Sequence, residues 1–171
     1  MFLKYENTLI TELQSFPLND KEATLPAYQK RTLDTNKLLK SFSSYKKSIR
    51  NDEASILPES FFYSNDAIKP DGTKVVQAMV HLAQLNILDL ETGHVSGSRL
   101  EGEPDFSVFK SDEKIKSYFT RVQADDNYIY AVYWGKERWE RFETPHMNII
   151  HVYDWDGNLV QKIETDYSIG Q

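Results

Sequence analysis

The chain has no cysteine, which removes a disulfide framework, a thiolate nucleophile and a Cys-ligated zinc site together. Long apolar runs are missing as well. The longest extend a few residues, short of the roughly 20 that a membrane-spanning helix needs, so no transmembrane segment is expected. The opening MFLKYENTL carries Lys4 and Glu6 where a secretory signal needs an unbroken apolar stretch, so no export signal is expected there. Positive charge is in deficit, with 20 Lys+Arg against 26 Asp+Glu and a formal net charge of -6. That balance supplies no basic field for phosphates, and no nucleic-acid partner is expected. The G-x-S-x-G elbow, the P-loop, the dinucleotide fingerprint and H-E-x-x-H are all absent. No catalytic residue, metal site or cofactor is therefore assigned.

What is present is alternation. A length of 171 residues suits one domain, spanning 1–171. The segments KVVQAMVHL, QLNILDL, YIYAVYWG, NIIHVYDW and LVQKIE are short, rich in β-branched and aromatic residues, and bounded by PDG, ETG, GKE and DGN. Their pattern predicts an all-β fold. Residues 28–50 also fit a helical face through Leu33, Leu38, Leu39 and Phe42, but Thr32, Thr35, Ser41, Ser43 and Ser44 are poor interior helix formers.

The hairpin signals repeat. VYDWDGNLVQKI aligns without gaps on FLKYENTLITEL, and NILDLETGHV repeats the turn, which makes Asn7, Gly93 and Gly157 equivalent anchors. Their spacings of 86 and 64 residues correspond to blade units of roughly 40 to 45 residues with an insertion. Asn36 follows Asn7 too closely to close a blade and reads as an inner hairpin. On this alignment the chain enters its fold in the middle of a blade. The expected architecture is β-propeller-like, with antiparallel four-stranded blades, three to four in number, in an incomplete ring.

The stretches DGTKVVQAMVHLAQLNILDLETG, PDFSVF and DDNYIYAVYWGK followed by NIIHVYDWDGNLVQKI resemble the TolB-like six-bladed β-propeller family of bacterial cell envelopes, from about Ser60 to Ile163. The resemblance implies a propeller fold, a periplasmic or envelope location and no single shared reaction. Six blades exceed what 171 residues hold, so it implies a partial or truncated member.

Among polar candidates, His151 and Tyr153 share one face of their strand and Asp154 the other, by the period of two. His146, His151 and a carboxylate form an acid-base or metal reading, set against a structural histidine; His81 and His94 stand apart from it. Asp154, Asp156 and Asn158 alternate as calcium ligands would, but Gly157 falls fourth and Thr165 twelfth where an EF-hand needs glycine sixth and glutamate twelfth. A hairpin turn is expected instead. The pairs Glu101 with Glu103 and Asp125 with Asp126 sit in turn-like stretches whose spacing in space sequence does not give. Ser96 to Arg99, SGSR, lacks the setting of a nucleophile.

YWGKERWERFETPHM carries the strongest recognition signal, because Arg and large aromatics dominate binding hot spots. Lys136, Arg138, Trp139, Arg141, Phe142 and His146 are the candidate ligand-binding residues. Tyr128, Tyr130 and Tyr133 are expected to fill the space between blades, and Phe106 and Phe109 to anchor the segment 101–113. The functional expectation is a non-enzymatic binding or scaffold module with a protein or glycan ligand. A propeller enzyme of lactonase or lyase type, or a fragment without independent activity, is the alternative. Open blade edges are expected to favour self-association.

Overall fold

The computed structural model describes residues 2–13, 27–43, 63–103, 115–137, 140 and 147–169. They form twelve strands in three antiparallel sheets, each a meander in chain order. The first sheet holds β1 (Phe2–Tyr5), β2 (Thr8–Leu13), β3 (Ala27–Thr32) and β4 (Leu38–Ser43). The second holds β5 (Ser64–Ile68), β6 (Lys74–Met79), β7 (Gln84–Asp89) and β8 (Val95–Arg99). The third holds β9 (Lys116–Ala124), β10 (Tyr128–Glu137), β11 (Ile149–Asp154) and β12 (Leu159–Glu164). All five strands expected from alternation are present, and the expected all-β class holds. The helical reading of 28–50 is overturned where the chain is described, because β3 and β4 occupy it.

The second sheet explains why KVVQAM and QLNILD look almost continuously apolar. Both of its faces are buried, so the period of two separates two cores instead of core and solvent. Val75 and Leu88 face the first sheet and pack with Ile10, Tyr28, Phe42 and Leu90. Val76, Ala78, Leu85 and Ile87 face the third sheet and pack with Phe119, Ile129, Ala131, Tyr153 and Trp155. Each fully buried large apolar side chain contributes roughly 1.5–3 kcal/mol, and the two clusters join the sheets into an open arc.

One row on the face toward the first sheet is polar. Asp66, Gln77 and Asn86 stand in register on β5, β6 and β7. Asn86 Nδ2 donates to Gln77 Oε1 at 2.8 Å, and Gln84 Nε2 to Asn86 Oδ1 at 3.1 Å. The Tyr28 hydroxyl crosses from the first sheet to donate to Asp66 Oδ2 at 2.5 Å. Asp66 Oδ1 is buried without a partner. Burial raises the Asp66 carboxyl to about 6, against the opposing pull of the Tyr28 hydrogen bond.

The expected equivalence of Asn7, Gly93 and Gly157 fails. Gly93 and Gly157 lie in third-to-fourth-strand hairpins, and the matching residue of the first sheet is Asn36, at φ 55° beside their 79° and 89°. Asn7 belongs to a first-to-second hairpin, whose counterpart is Thr73: Leu33 N–H donates to the Asn7 carbonyl as Leu90 N–H does to that of Thr73. The equivalent hairpins are therefore 57 and 64 residues apart. Nor does the chain enter mid-blade, since β1 is the first of four sequential strands.

DWDGN is a turn, as expected, and its acidic residue is occupied in holding it. Asp154 Oδ1 accepts from the N–H groups of Asp156 and Asn158, and Oδ2 accepts from Asn158 Nδ2. Gly157 N–H returns to the Asp154 carbonyl at 3.1 Å, and Asp154 N–H bonds the Asn158 carbonyl at 3.0 Å. This loop is longer than a two-residue primed turn, yet it still places Gly157 at φ 89°. A Cβ there meets Ser98 Oγ at 3.6 Å and Ile87 Cδ1 at 3.7 Å, which is ordinary contact, so the cost of a side chain is backbone strain. Gly157→Val should lose roughly 1 kcal/mol or more, read as a lower thermal midpoint; an unchanged midpoint would refute the left-handed turn.

Candidate functional site

Apart from the short β6–β7 connection at 80–83, meander topology sorts the connections by length. The first-to-second and third-to-fourth hairpins are tight and gather at one end. The connections from β2 to β3, β4 to β5, β8 to β9 and β10 to β11 leave from the other end, where the numbering spans 14–26, 44–63, 100–115 and 138–148. The alignment of the second and third sheets is fixed at this long-connection end by Tyr118 N–H donating to the Val80 carbonyl at 2.7 Å. His81 Nδ1 lies 3.4 Å from the Lys116 carbonyl beside it.

Between these two sheets, at that end, Glu103 is the centre of a polar-aromatic cluster. Tyr118 Oη donates to Glu103 Oε2 at 2.9 Å and Tyr133 Oη to Oε1 at 3.5 Å. Lys116 Nζ lies 3.5 Å from Oε2 at the solvent-facing rim. A register shift in β10 flanks Tyr133, and Gly135 takes a left-handed φ of 69° within the irregular stretch. Irregularities of this kind re-aim side chains next to sites, and here the Tyr133 ring passes over Gly135 toward Glu103. Burial, and then the neighbouring Glu103, hold the phenols of Tyr118 and Tyr133 above the ordinary tyrosine range. Both remain donors at neutral pH.

His151 lies beneath this cluster. Its ring stacks on Tyr133 with centroids 4.3 Å apart and planes 12° from parallel, and Phe119 meets it edge-on at 6.2 Å. Nδ1 is 3.3 Å from the Tyr153 hydroxyl, so the expected sharing of one strand face holds. At 2% exposure, burial first and the positive charge of Lys162 second push its pKa down to about 4. The imidazole is neutral at physiological pH and supports the tyrosines from within.

Of the expected ligand-binding residues, Lys136 lies on β10 opposite Ser117 of β9, beside the Glu103 and Lys116 end. Arg138, Trp139, Arg141, Phe142 and His146 lie outside the described residues, as do Phe106 and Phe109. Tyr133 fills inter-sheet space as expected. Tyr128 does not, being 42% exposed, and Tyr130 alternates to the opposite face and donates to Asp125 Oδ2 at 2.8 Å. Sequence reading paired Glu103 only with Glu101 and passed over β9 with Tyr118 and Phe119. The available signal was a run of phenols at positions that alternate inward near the ends of β9 and β10. Among the described residues, no group of three or more His, Asp or Glu side chains could hold a metal ion, and no helix is long and apolar enough to cross a membrane.

Three stacked four-stranded meanders with tight hairpins at one end define a propeller-type protein. The model of the TolB-like 6-blade propeller-like family matches residues 16–171, and the chain belongs to that family. Comparison with curated proteins gave no match. Among solved structures the chain is similar to an acylaminoacyl peptidase, at 12% identity and a TM-score of 0.54, over 96% of this chain and 24% of that one. It is also similar to the hydrazine synthase of Kuenenia stuttgartiensis, at 12% identity and 0.46, over 82% of this chain and 30% of the other. A calcium-binding protein, regucalcin, from Agrobacterium tumefaciens gives 14% identity and 0.42, over 95% of this chain and 43% of that one. The chain thus spans less than half the length of each, and the peptidase likeness shows the fold alone.

Proposed function

We propose that residues 1–171 act as one partial propeller domain serving as a recognition module of the bacterial cell envelope, with a glycan or protein ligand taken at the long-connection end. The observation that carries this reading is the Glu103 cluster: a carboxylate and an ammonium at the rim, held by two phenols and a stacked imidazole on rigid strands. Charged and hydroxyl donors fixed on strands favour polar recognition, and loops carried by such a scaffold supply the rest of a binding surface. Lys136, opposite Ser117, adds a second cation at the same end. The envelope location rests on the family resemblance. Open sheet edges offer a second copy of the chain a place to pair.

The test is binding of the 171-residue chain to a panel of envelope glycans, soluble peptidoglycan fragments first, and to envelope protein fractions, by biolayer interferometry. Saturable binding is expected, with Glu103→Gln and Lys136→Glu each weakening it at least about fivefold, near 1 kcal/mol, while circular dichroism is unchanged. Binding indifferent to both substitutions, or catalytic turnover of lactones with no stable binding, would overturn the reading.

A further inference from the structure

The tight-hairpin end carries a separate feature, a cleft of about 440 Å³ between the first and second blades. That volume lies within the range of small-ligand sites. Its surface joins apolar groups to two cations, Lys30 and Lys40, and two acids, Asp71 and Glu91. Tyr5, Leu39 and Leu90 supply the apolar part, and Leu39 is 48% exposed.

The cations are placed against their own electrostatics. Lys30 and Lys40 are direct cross-strand partners on β3 and β4, and like charges directly opposite one another are destabilising. Lys40 is fixed in that position: its ammonium donates to the Glu91 carbonyl of the second blade and lies 5.2 Å over the Phe42 ring. Lys30 pairs with no carboxylate among the described residues. Of the two acids lining the cleft, Glu91 is exposed; Asp71 is engaged by Lys69 and by the N–H and hydroxyl of Thr73, which hold its carboxyl down at about 2. Asp71 is thus ionised, and Lys69 shares its charge. Gly72 forms part of the wall, and its lack of a side chain is required there, because a Cβ would overlap the Tyr5 ring.

We propose that this cleft binds a small organic anion, whose acidic group bridges Lys30 and Lys40 while its apolar body lies on Tyr5, Leu39 and Leu90. An anion relieves the repulsion between the two ammonium groups, and its apolar part covers the exposed leucine. The site is independent of the Glu103 end, which lies at the opposite edge of the sheets.

The experiment is a titration of the 171-residue chain, labelled with nitrogen-15, with naphthalene-2-sulfonate, followed by amide shifts. Saturable shifts are expected at Gly72, Thr73 and Leu90 and along β3 and β4. Lys30→Glu should weaken binding at least about tenfold, and so should replacing the probe by neutral naphthalene-2-sulfonamide. Gly72→Ala, which drives the Tyr5 ring from its place, should weaken it as well; if that variant fails to fold, Lys30→Glu and the neutral probe decide alone. No saturable shifts, shifts confined to other parts of the chain, or equal binding of charged and neutral probes would overturn the proposal.

Discussion

Phe119→Ala is expected to destabilise the protein by about 3–5 kcal/mol, a fall in thermal midpoint on the order of 10 °C for a chain of this size. Phe119 is 0% exposed and makes edge contacts with Tyr133 at 5.8 Å, His151 at 6.2 Å and Tyr153 at 6.4 Å. It belongs to the same cluster as Val76, Leu85 and Ile87 of the second blade. Truncation therefore leaves a cavity where two blades meet, lined by rings already fixed by their other contacts, and such a wall relaxes little. Phe119→Leu should recover more than half of the loss. A shift below about 2 °C for the alanine variant would mean that this ring does not join the second and third blades.

The second large effect is a cancellation that substitution uncovers. Asp66 is raised from 3.8 to about 6, so the folded state holds its proton more tightly than the unfolded chain does. Stability from this group is present at low pH and is lost as pH rises from about 4 through 6. His151 is lowered from 6.5 to about 4, so the folded state resists its protonation. Stability from it is present above pH 6.5 and is lost as pH falls toward 4. Each displacement corresponds to roughly 3 kcal/mol over the full window, with opposite sign in nearly the same interval. The wild-type thermal midpoint should vary little between pH 4.5 and 6.5. Asp66→Asn, which still accepts from Tyr28, should become less stable on acidification across that interval, whereas His151→Phe, which keeps the stack on Tyr133, should become less stable as pH rises. Thermal melts of the three proteins check this; profiles parallel to wild type would show that neither group titrates as its burial requires.

Strand positions were legible in the sequence because burial writes a period of two, and a strand buried on both faces writes a continuous run bounded by turns. The alignment of the repeats was misread for a related reason. Every hairpin in a meander has alternating strands around a polar turn, so FLKYENTLITEL matches VYDWDGNLVQKI although they are different hairpins of their sheets. The residue that opens the loop does not separate them either, because Asp125 collects turn N–H groups in the first-to-second hairpin of the third sheet. Asp154 and Asp89 collect the turn N–H groups in third-to-fourth hairpins, and Thr32 plays a similar part through its hydroxyl to Lys37 N–H. The Glu103 cluster was not legible, because its members come from the end of one blade and from three strands of the next. Their meeting depends on how two sheets stack, which no local spacing encodes. The Lys30 and Lys40 pair was hidden by β-strand register in the same way.

The two-sided burial of the second blade also has a meaning in time. Every strand pairing lies within one meander, so a growing chain completes the hydrogen bonds of a blade as soon as its fourth strand has emerged. Its apolar faces follow a different schedule. The face carrying Val75 and Leu88 finds Ile10, Tyr28 and Phe42 already made, but the face carrying Val76 and Ile87 waits for residues out to Tyr153 and Trp155. From Arg99, where the fourth strand ends, to Tyr153 is 54 residues, about 3 to 11 seconds of synthesis at roughly 5–20 residues per second. During that interval the nascent polypeptide carries a finished sheet whose second apolar face is still uncovered, the stage at which it is most open to wrong contacts.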